Sequence, residues 1–211
     1  MLNATRALFE EGGYAAATIE AIAARSGVAK TTIYRWWHNR PTLVVELLLE
    51  VAANAAPLPT GRDPMQAIRT ELRRVTEAAD ALPGRLLLAL LSEAQRDVEV
   101  RNALLHGLFD PRRQATARVI RRAQSSGVIR KNVAPLVAVD LLFGPIFYRR
   151  FVRQEPVSRS YVNVVYQNVL DGLTCRSGSA AANGGRAKRG AQGRAKRKKA
   201  PARRTARSKR R

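Results

Sequence analysis

Residues 30–40, "KTTIYRWWHNR", bring together side chains that proteins use to hold nucleic acid. Two threonine hydroxyls, three aromatic rings and a histidine stand among three cations in this stretch. Cations neutralise phosphates, arginine pairs bidentately with a guanine edge, and hydroxyls donate to phosphate oxygens. We therefore predict a DNA contact surface made of Thr18, Lys30, Thr31, Thr32, Tyr34, Arg35, Trp36, His38 and Arg40.

A helix-turn-helix would position these side chains. Thr18 is a residue type that caps helix N-termini, and Gly27 is the type that ends a helix. A short helix is predicted at about 29–36, so that the motif spans about 18–37. The second helix of such a motif enters the DNA major groove and presents its N-terminal residues to the bases. Asn39 is predicted to cap a fourth helix, which has a proline in its first turn.

The rest of the folded part also shows helical periodicity, with apolar residues at spacings of three and four. The first helix is predicted at about 3–11 and ends at Gly12–Gly13. The pattern predicts an all-α protein with an N-terminal three-helix domain at 1–50 and a C-terminal helical bundle at 51–175. Beyond a linker at 56–64, the predicted helices lie at about 65–80, 83–95, 98–126, 135–153 and 158–174.

The net charge of +22 is concentrated at the C-terminus. Residues 176–211 contain fifteen Lys and Arg, no acid and no apolar residue larger than Ala, which predicts a disordered basic tail. The tail resembles those of linker histones and nucleoid proteins, and we expect it to bind phosphates without sequence preference. A charge run that is merely solvated is the alternative for the tail. An architectural, nucleoid-associated protein dominated by the tail is the alternative for the whole chain.

Other function classes find little support in the sequence. No cationic start precedes an apolar stretch, and no apolar run approaches the length of a membrane span, so we expect a soluble, cytoplasmic chain without a membrane partner. The lone Cys175 forms neither a disulfide nor a zinc site by itself. Because no catalytic set, phosphate-binding glycine loop or metal-ligand spacing is visible, we expect no enzyme activity, no metal and no cofactor.

Residues 4–50 resemble the DNA-binding domain of the TetR (tetracycline repressor-like) family. The similarity implies a dimeric, repressor-type transcription factor that binds a palindromic operator and is released by a small-molecule effector. It also implies that the C-terminal helical bundle at 51–175 is the ligand-binding and dimerisation domain. Two departures are Ala29 where the family has a helix-capping Ser, and Arg40 where it commonly has Lys. The pattern also starts inside the first helix, so that either a preceding arm is missing or Met1 is not the true start. The matching positions are Ala4, Leu8, Phe9, Gly13, Tyr14, Thr18, Ile22, Ala23, Gly27, Val28, Thr32, Ile33, Tyr34, Trp37 and Leu43.

Several aromatic and polar positions keep two interpretations. Trp37 aligns with a buried aromatic of the family and is expected in the core, whereas Tyr34 favours the DNA face over the core. For Trp36 core packing and DNA contact are equally good explanations. His38 is better explained as a polar residue at a helix end than as a phosphate contact.

The C-terminal helices supply candidates for the effector pocket and the dimer interface. His106 has a second interpretation as a hydrogen-bonded packing residue, and Pro111 is expected to open a bulge beside the pocket or to be tolerated. Gly144–Pro145 predicts either a kink or a close helix approach at the dimer seam. The pocket candidates are Leu87, Leu91, His106, Phe109, Phe143 and Phe147. The interface candidates are Leu142, Phe143, Ile146, Phe147, Val165 and Val169.

Overall fold

The computed structural model of the protein describes residues 1–174, and within that range the chain forms ten α-helices and no sheet. This architecture confirms the predicted all-α fold with an N-terminal helix-turn-helix and a C-terminal helical domain. Cys175 and the predicted tail at 176–211 lie outside the described residues. The helices are α1 (Leu2–Ala16), α2 (Ile19–Ser26), α3 (Lys30–Trp36), α4 (Arg40–Ala55), α5 (Pro64–Asp80), α6 (Leu82–Glu93), α7 (Val98–Leu104), α8 (Asp110–Ser125), α9 (Pro135–Phe147) and α10 (Arg159–Leu173).

The first three helices pack around a small apolar core. Ile22 of α2, Ile33 of α3 and Leu43 at the start of α4 are fully buried in it. Helical backbone in α1 is interrupted at Gly12–Gly13, where the sequence predicts a stop, and one further turn follows to Ala16. Gly13 adopts a φ of 67°, a left-handed conformation that favours glycine.

Helix α4 joins the N-terminal helices to the rest of the protein. Its first turn is capped by Asn39, whose Oδ1 accepts a hydrogen bond from the Thr42 N–H at 2.9 Å, as predicted. Leu43 packs into the N-terminal core, whereas Leu47 and Leu48 pack into a second core shared with α6 and α7. One helix therefore contributes side chains to both cores and connects the N-terminal helices to α6 and α7.

The third core lies between α5, α8, α9 and α10. Its fully buried side chains include Ile68 and Leu72 of α5, Ile120 of α8 and Leu142 of α9. Tyr166 of α10 closes it at one side and donates a hydrogen bond from its hydroxyl to the Met65 carbonyl at 3.0 Å. Together with α6 and α7, these four helices form the C-terminal part of the described chain.

Two π-helical turns continue the regular helices. One, Leu105–Phe109, joins α7 to α8, and the other, Tyr148–Val152, extends α9. The first lies directly before Pro111, which has no N–H to donate to the carbonyl four residues earlier. The widened turn beside this proline resembles the bulge that was one of the two alternatives for Pro111. The turn lies close to α4, because a Cβ added at Gly107 would be 2.8 Å from Leu49 Cδ1.

Candidate nucleic-acid interface and ligand cavity

Helix α3 presents almost all of its side chains to solvent. Ile33 anchors the helix in the N-terminal core, with no exposed surface. Trp36 is 71% exposed and Tyr34 50% exposed, although large aromatic side chains usually lose most of their surface in a fold. The exposed set matches the predicted contact residues of this helix, namely Lys30, Thr31, Thr32, Tyr34, Arg35 and Trp36.

The turn between α2 and α3 fixes the direction of α3. Gly27 ends α2 with a φ of 68° and a ψ of 15°, so it serves as the left-handed residue of a glycine elbow. At the other end of α2, Thr18 accepts a hydrogen bond from the Ala21 N–H at 3.1 Å and is therefore the N-cap. Ala29 caps α3 without a side-chain hydrogen bond, as its residue type predicts. The first turn of α3 depends instead on Thr32 N–H donating to the Ala29 carbonyl at 2.9 Å.

A carboxylate on α2 pairs with the first cation of α3. Lys30 Nζ lies 2.9 Å from Glu20 Oε1, and both side chains are more than half exposed. The hydrogen bond from Lys30 lowers the pKa of Glu20 below its usual value. Sequence reasoning missed Glu20, because an acid in the first turn of a helix has a local explanation in the helix dipole. The pair leaves this edge of the candidate interface without net charge.

In the turn between α3 and α4, Arg40 and Trp37 are held in place by contacts with aromatic and polar side chains. The Arg40 guanidinium carbon lies 4.0 Å from the ring centroid of Tyr14, a cation–π geometry. Burial raises the pKa of the Tyr14 hydroxyl. Trp37 is half-buried against the N-terminal core, and its indole N–H donates to Glu46 Oε2 at 2.6 Å. Arg40 is therefore fixed beside α3 by a ring of α1.

The same turn touches the N-terminus of α7 in the C-terminal half. Asn39 Nδ2 donates to Asp97 Oδ2 at 3.2 Å, and His38 Nε2 lies 2.5 Å from Glu99 Oε2. Asp97 is itself the N-cap of α7, since its Oδ1 accepts from the Glu99 N–H at 2.8 Å. The caps of two helices are thus bonded to each other, and α7 leads directly to the π-helical turn that lines the cavity described next.

A largely apolar cavity of about 460 Å³ lies between α4, α5, α6, α8 and α9. Four predicted pocket residues line it, Leu87, Phe109, Phe143 and Phe147. Leu91, one turn beyond Leu87 on α6, instead packs beside the core shared with α4. His106 is also absent from the lining, because its side chain is largely exposed and its Nδ1 lies 3.2 Å from Asp110 Oδ2. The cavity therefore corrects the predicted pocket at these two positions.

One buried ion pair borders the cavity. Arg112, in the cavity wall, places Nη1 2.5 Å from Glu71 Oε1, and its Nη2 donates to the Ala56 carbonyl at the end of α4. The Glu71 side chain has no exposed surface, and its second carboxylate oxygen, Oε2, lacks a hydrogen-bond partner among the described residues. Burial raises the pKa of Glu71, although the positive charge of Arg112 acts in the opposite direction.

The described chain matches one protein family over both of its halves. Residues 1–47 match the family described as bacterial regulatory proteins, tetR family. Residues 60–169 match the tetracyclin repressor-like C-terminal domain. The chain belongs to the TetR family. It is therefore a DNA-binding transcriptional regulator, and the helix-turn-helix lies in the family's DNA-binding domain.

Three transcriptional regulators resemble the chain, two of them over most of its length and one over less than half. It is 29% identical to the uncharacterized HTH-type transcriptional regulator YdeS of Bacillus subtilis, covering 84% of this chain and 89% of that protein. The crystal structure of the TetR family transcription regulator SCO0332 is 31% identical, with a TM-score of 0.70, covering 82% of this chain and 96% of that one. The HTH-type transcriptional repressor KstR of Rhodococcus jostii is 34% identical over 44% of this chain and 43% of its own.

The relatives of the chain are transcriptional regulators.

Most of the residues predicted for the dimer interface face inward. Leu142 and Ile146 are 0% and 2% exposed, and Val165 is buried as well. Phe143 and Phe147 face the cavity, and Val169 is half-buried. None of the helices in residues 1–174 has the length and apolar character that crossing a bilayer requires. The large apolar side chains of these elements that face outward are Val137, Leu141, Tyr148 and Val152 of α9 and its π-helical turn, and Val164 of α10.

Proposed function

We propose that this TetR-family regulator is a repressor that binds a two-fold symmetric operator as a homodimer and is released by a small-molecule effector. The exposure of α3 supports DNA binding. Ile33 is the buried residue that anchors this helix in the N-terminal core, and the left-handed backbone of Gly27 sets its direction. A helix with this geometry fits a major groove. The repressor role is supported by the name of KstR, which is called a repressor.

The contacts are divided by chemistry. Thr31 and Thr32 contact bases or phosphates near the N-terminus of α3, and Arg35 supplies a bidentate donor for guanine or phosphate. Tyr34 and Trp36 pack their exposed rings on the sugar–phosphate backbone. Lys30 exchanges Glu20 for a phosphate when DNA binds. The outer phosphate contacts come from Thr18, through its hydroxyl hydrogen, and from His38 and Arg40.

The homodimer is proposed to form through the outward faces of α9 and α10. Val137, Leu141, Tyr148 and Val152 recur at helical spacing along one side and are all about half exposed. An apolar stripe of this length is unusual on a free surface and is typical of an interface. Two-fold packing of the stripe against itself would place two α3 helices on one side of the dimer, as a palindromic operator requires.

The effector is proposed to act through the cavity. Leu48, Ala52 and Ala56 of α4 contribute to its wall, and the same helix shares the N-terminal core with α3. A ligand that fits only a displaced α4 shifts the population away from the arrangement that matches two successive grooves. The contact between Asn39 and Asp97 provides a second connection, through α7.

The tail at 176–211 is proposed to add sequence-independent affinity, and its composition of fifteen cations without an acid supports this role. If about six of them reach phosphates, the slope of log K against log salt steepens by about 5. A nucleoid-associated architectural role is the second candidate, and the same composition favours it. Deleting 176–211 distinguishes the two, because a regulator keeps its operator preference at lower affinity and an architectural protein loses its DNA binding.

Selection from random duplexes with the full chain tests the proposal. We expect a selected site with two-fold symmetry and half-sites about one helical turn apart, bound by a dimer. Sedimentation analysis with Leu141→Glu tests the interface, with Val128→Glu, an exposed apolar residue on a turn, as the matched control. An asymmetric site, or a Leu141→Glu variant that sediments like the control, contradicts the dimeric model.

A further inference from the structure

The walls of the cavity are hydrocarbon over most of their area. Leu48, Val75 and Leu87 contribute aliphatic surface from three different helices. An aromatic group completes it, since the Phe147 ring lies 6.1 Å from Phe109 and 4.8 Å from Phe151, centroid to centroid. A cavity of about 460 Å³ falls in the size range that holds drug-sized molecules. Removing apolar surface from water is therefore the main source of affinity for any occupant.

Each charged side chain of the cavity wall is already paired with a side chain of opposite charge. Arg113 forms a bidentate pair with Asp140, at 2.9 and 2.6 Å, on the solvent side of the cavity. Arg112 pairs with the buried Glu71 outside the lining. An anionic occupant would lie beside arginines whose charges these carboxylates already neutralise, and a cationic occupant would lie beside two arginines without an unpaired acid in the lining. Either ion would pay the cost of burying a charge that lacks a partner.

Arg112 nevertheless has donors to spare. A guanidinium carries five N–H groups, and the Glu71 and Ala56 oxygens each bond to one terminal nitrogen. The side chain is mostly buried and forms part of the wall. It is therefore suited to donate one of its remaining N–H groups to an oxygen of the occupant, beside the bond that holds the last turn of α4.

From this balance we infer that the cavity takes an uncharged, largely apolar molecule that carries a hydrogen-bond acceptor, which Arg112 recognises. The inference rests on the proposed function in treating the cavity as the effector site. It specifies the chemical class of the effector, and it assigns to Arg112 the recognition of its polar atom.

Matched probes of different charge test the class. Calorimetric titration of the full chain, without DNA, compares methyl 2-naphthoate, 2-naphthoate and 2-naphthylmethylammonium, and then the methyl ester, carboxylate and ammonium forms of a decyl chain. We expect the neutral ester of at least one skeleton to bind about 10-fold or more tightly than either ion. Tighter binding of an ion, equal binding of all three, or no binding by either ester overturns the assignment.

Two variants of α6 locate the binding. Leu87→Trp places an indole in the cavity and weakens ester binding, whereas Leu91→Trp, one turn away and outside the lining, preserves it; equal effects of the two variants overturn the location. Photolysis of a diazirine derivative of the decyl ester on the wild-type chain gives the location even if the variants fail to fold. Labelling of α6, α8 or α9 peptides supports the inference, and labelling elsewhere overturns it.

The double variant Glu71→Gln/Arg112→Met tests the recognition while keeping the charge balanced. In the wild type the naphthyl ester binds more tightly than 2-ethylnaphthalene, and in the double variant this preference is lost. A preference that survives in a folded double variant removes Arg112 from the assignment. These titrations involve no DNA, so a failed ligand class leaves the operator selection intact, and a failed operator selection leaves the titrations intact.

Discussion

The bond between Asp97 and Asn39 gives the sharpest test of how the two halves of the regulator are joined. Asp97 caps α7 through hydrogen bonds from two backbone N–H groups, and its second oxygen accepts from Asn39 at 3.2 Å. Asp97→Ala removes both functions. Loss of the cap costs about 1 kcal/mol, and loss of the side-chain bond about 1 kcal/mol more. Asp97→Ser keeps a capping oxygen but is too short to reach Asn39, so only the second loss applies.

Urea unfolding of the two variants separates these contributions. We expect the free energy of unfolding to fall by about 2 kcal/mol in Asp97→Ala and about 1 kcal/mol in Asp97→Ser. A double-mutant cycle with Asn39→Ser, which keeps its own cap on α4, should give a coupling energy of about 1 kcal/mol. The reasoning is refuted if Asp97→Ser unfolds like the wild type and the cycle shows no coupling.

Three further predictions concern single residues. Gly27→Ala should cost about 1–2 kcal/mol in urea unfolding because φ is 68°, whereas the control Gly172→Ala, in α10 with open space around it, should not destabilise; equal effects would contradict the elbow. Glu20→Gln should tighten DNA binding by about 2- to 5-fold, because Lys30 no longer has to leave a carboxylate to reach a phosphate, and an unchanged affinity would count against the phosphate role of Lys30. The free energy of unfolding of the wild type, measured relative to that of Glu71→Gln, should fall as the pH rises from about 4.5 through the raised native pKa of Glu71. The folded state binds the Glu71 proton more tightly than the unfolded state, so stability is lost when that proton dissociates, and a difference between the two proteins that does not depend on pH would refute the prediction.

The helix boundaries were largely predictable because they depend on local chemistry. Thr18 and Asn39 cap the helices that they were expected to cap, and Gly27 ends α2 in the left-handed conformation. Ala29 could be identified as a weak cap from its residue type alone. Each of these features involves a side chain and backbone within four residues, so the order of residue types carries the information.

The contacts between helices could not be predicted in the same way. Glu20 and Lys30 are ten residues apart, and Glu71 and Arg112 are forty-one apart, so their pairing depends on how the helices pack. The faces of α9 were ambiguous for another reason. The helix is apolar around most of its circumference, and periodicity alone does not separate the inward Leu142 from the outward Leu141.

Sequence discrimination by α3 is the central claim, and one comparison tests it most directly. Lys30→Ala/Thr32→Ala/Tyr34→Ala changes three exposed side chains of α3, and Lys131→Ala/Ser125→Ala makes the same change of charge on another exposed surface. Both variants should keep the wild-type helical circular dichroism, and each is measured on the selected operator and on random duplex. We predict that the α3 variant loses nearly all preference for the operator while the control keeps it. An α3 variant that folds and still discriminates like the control would contradict the account.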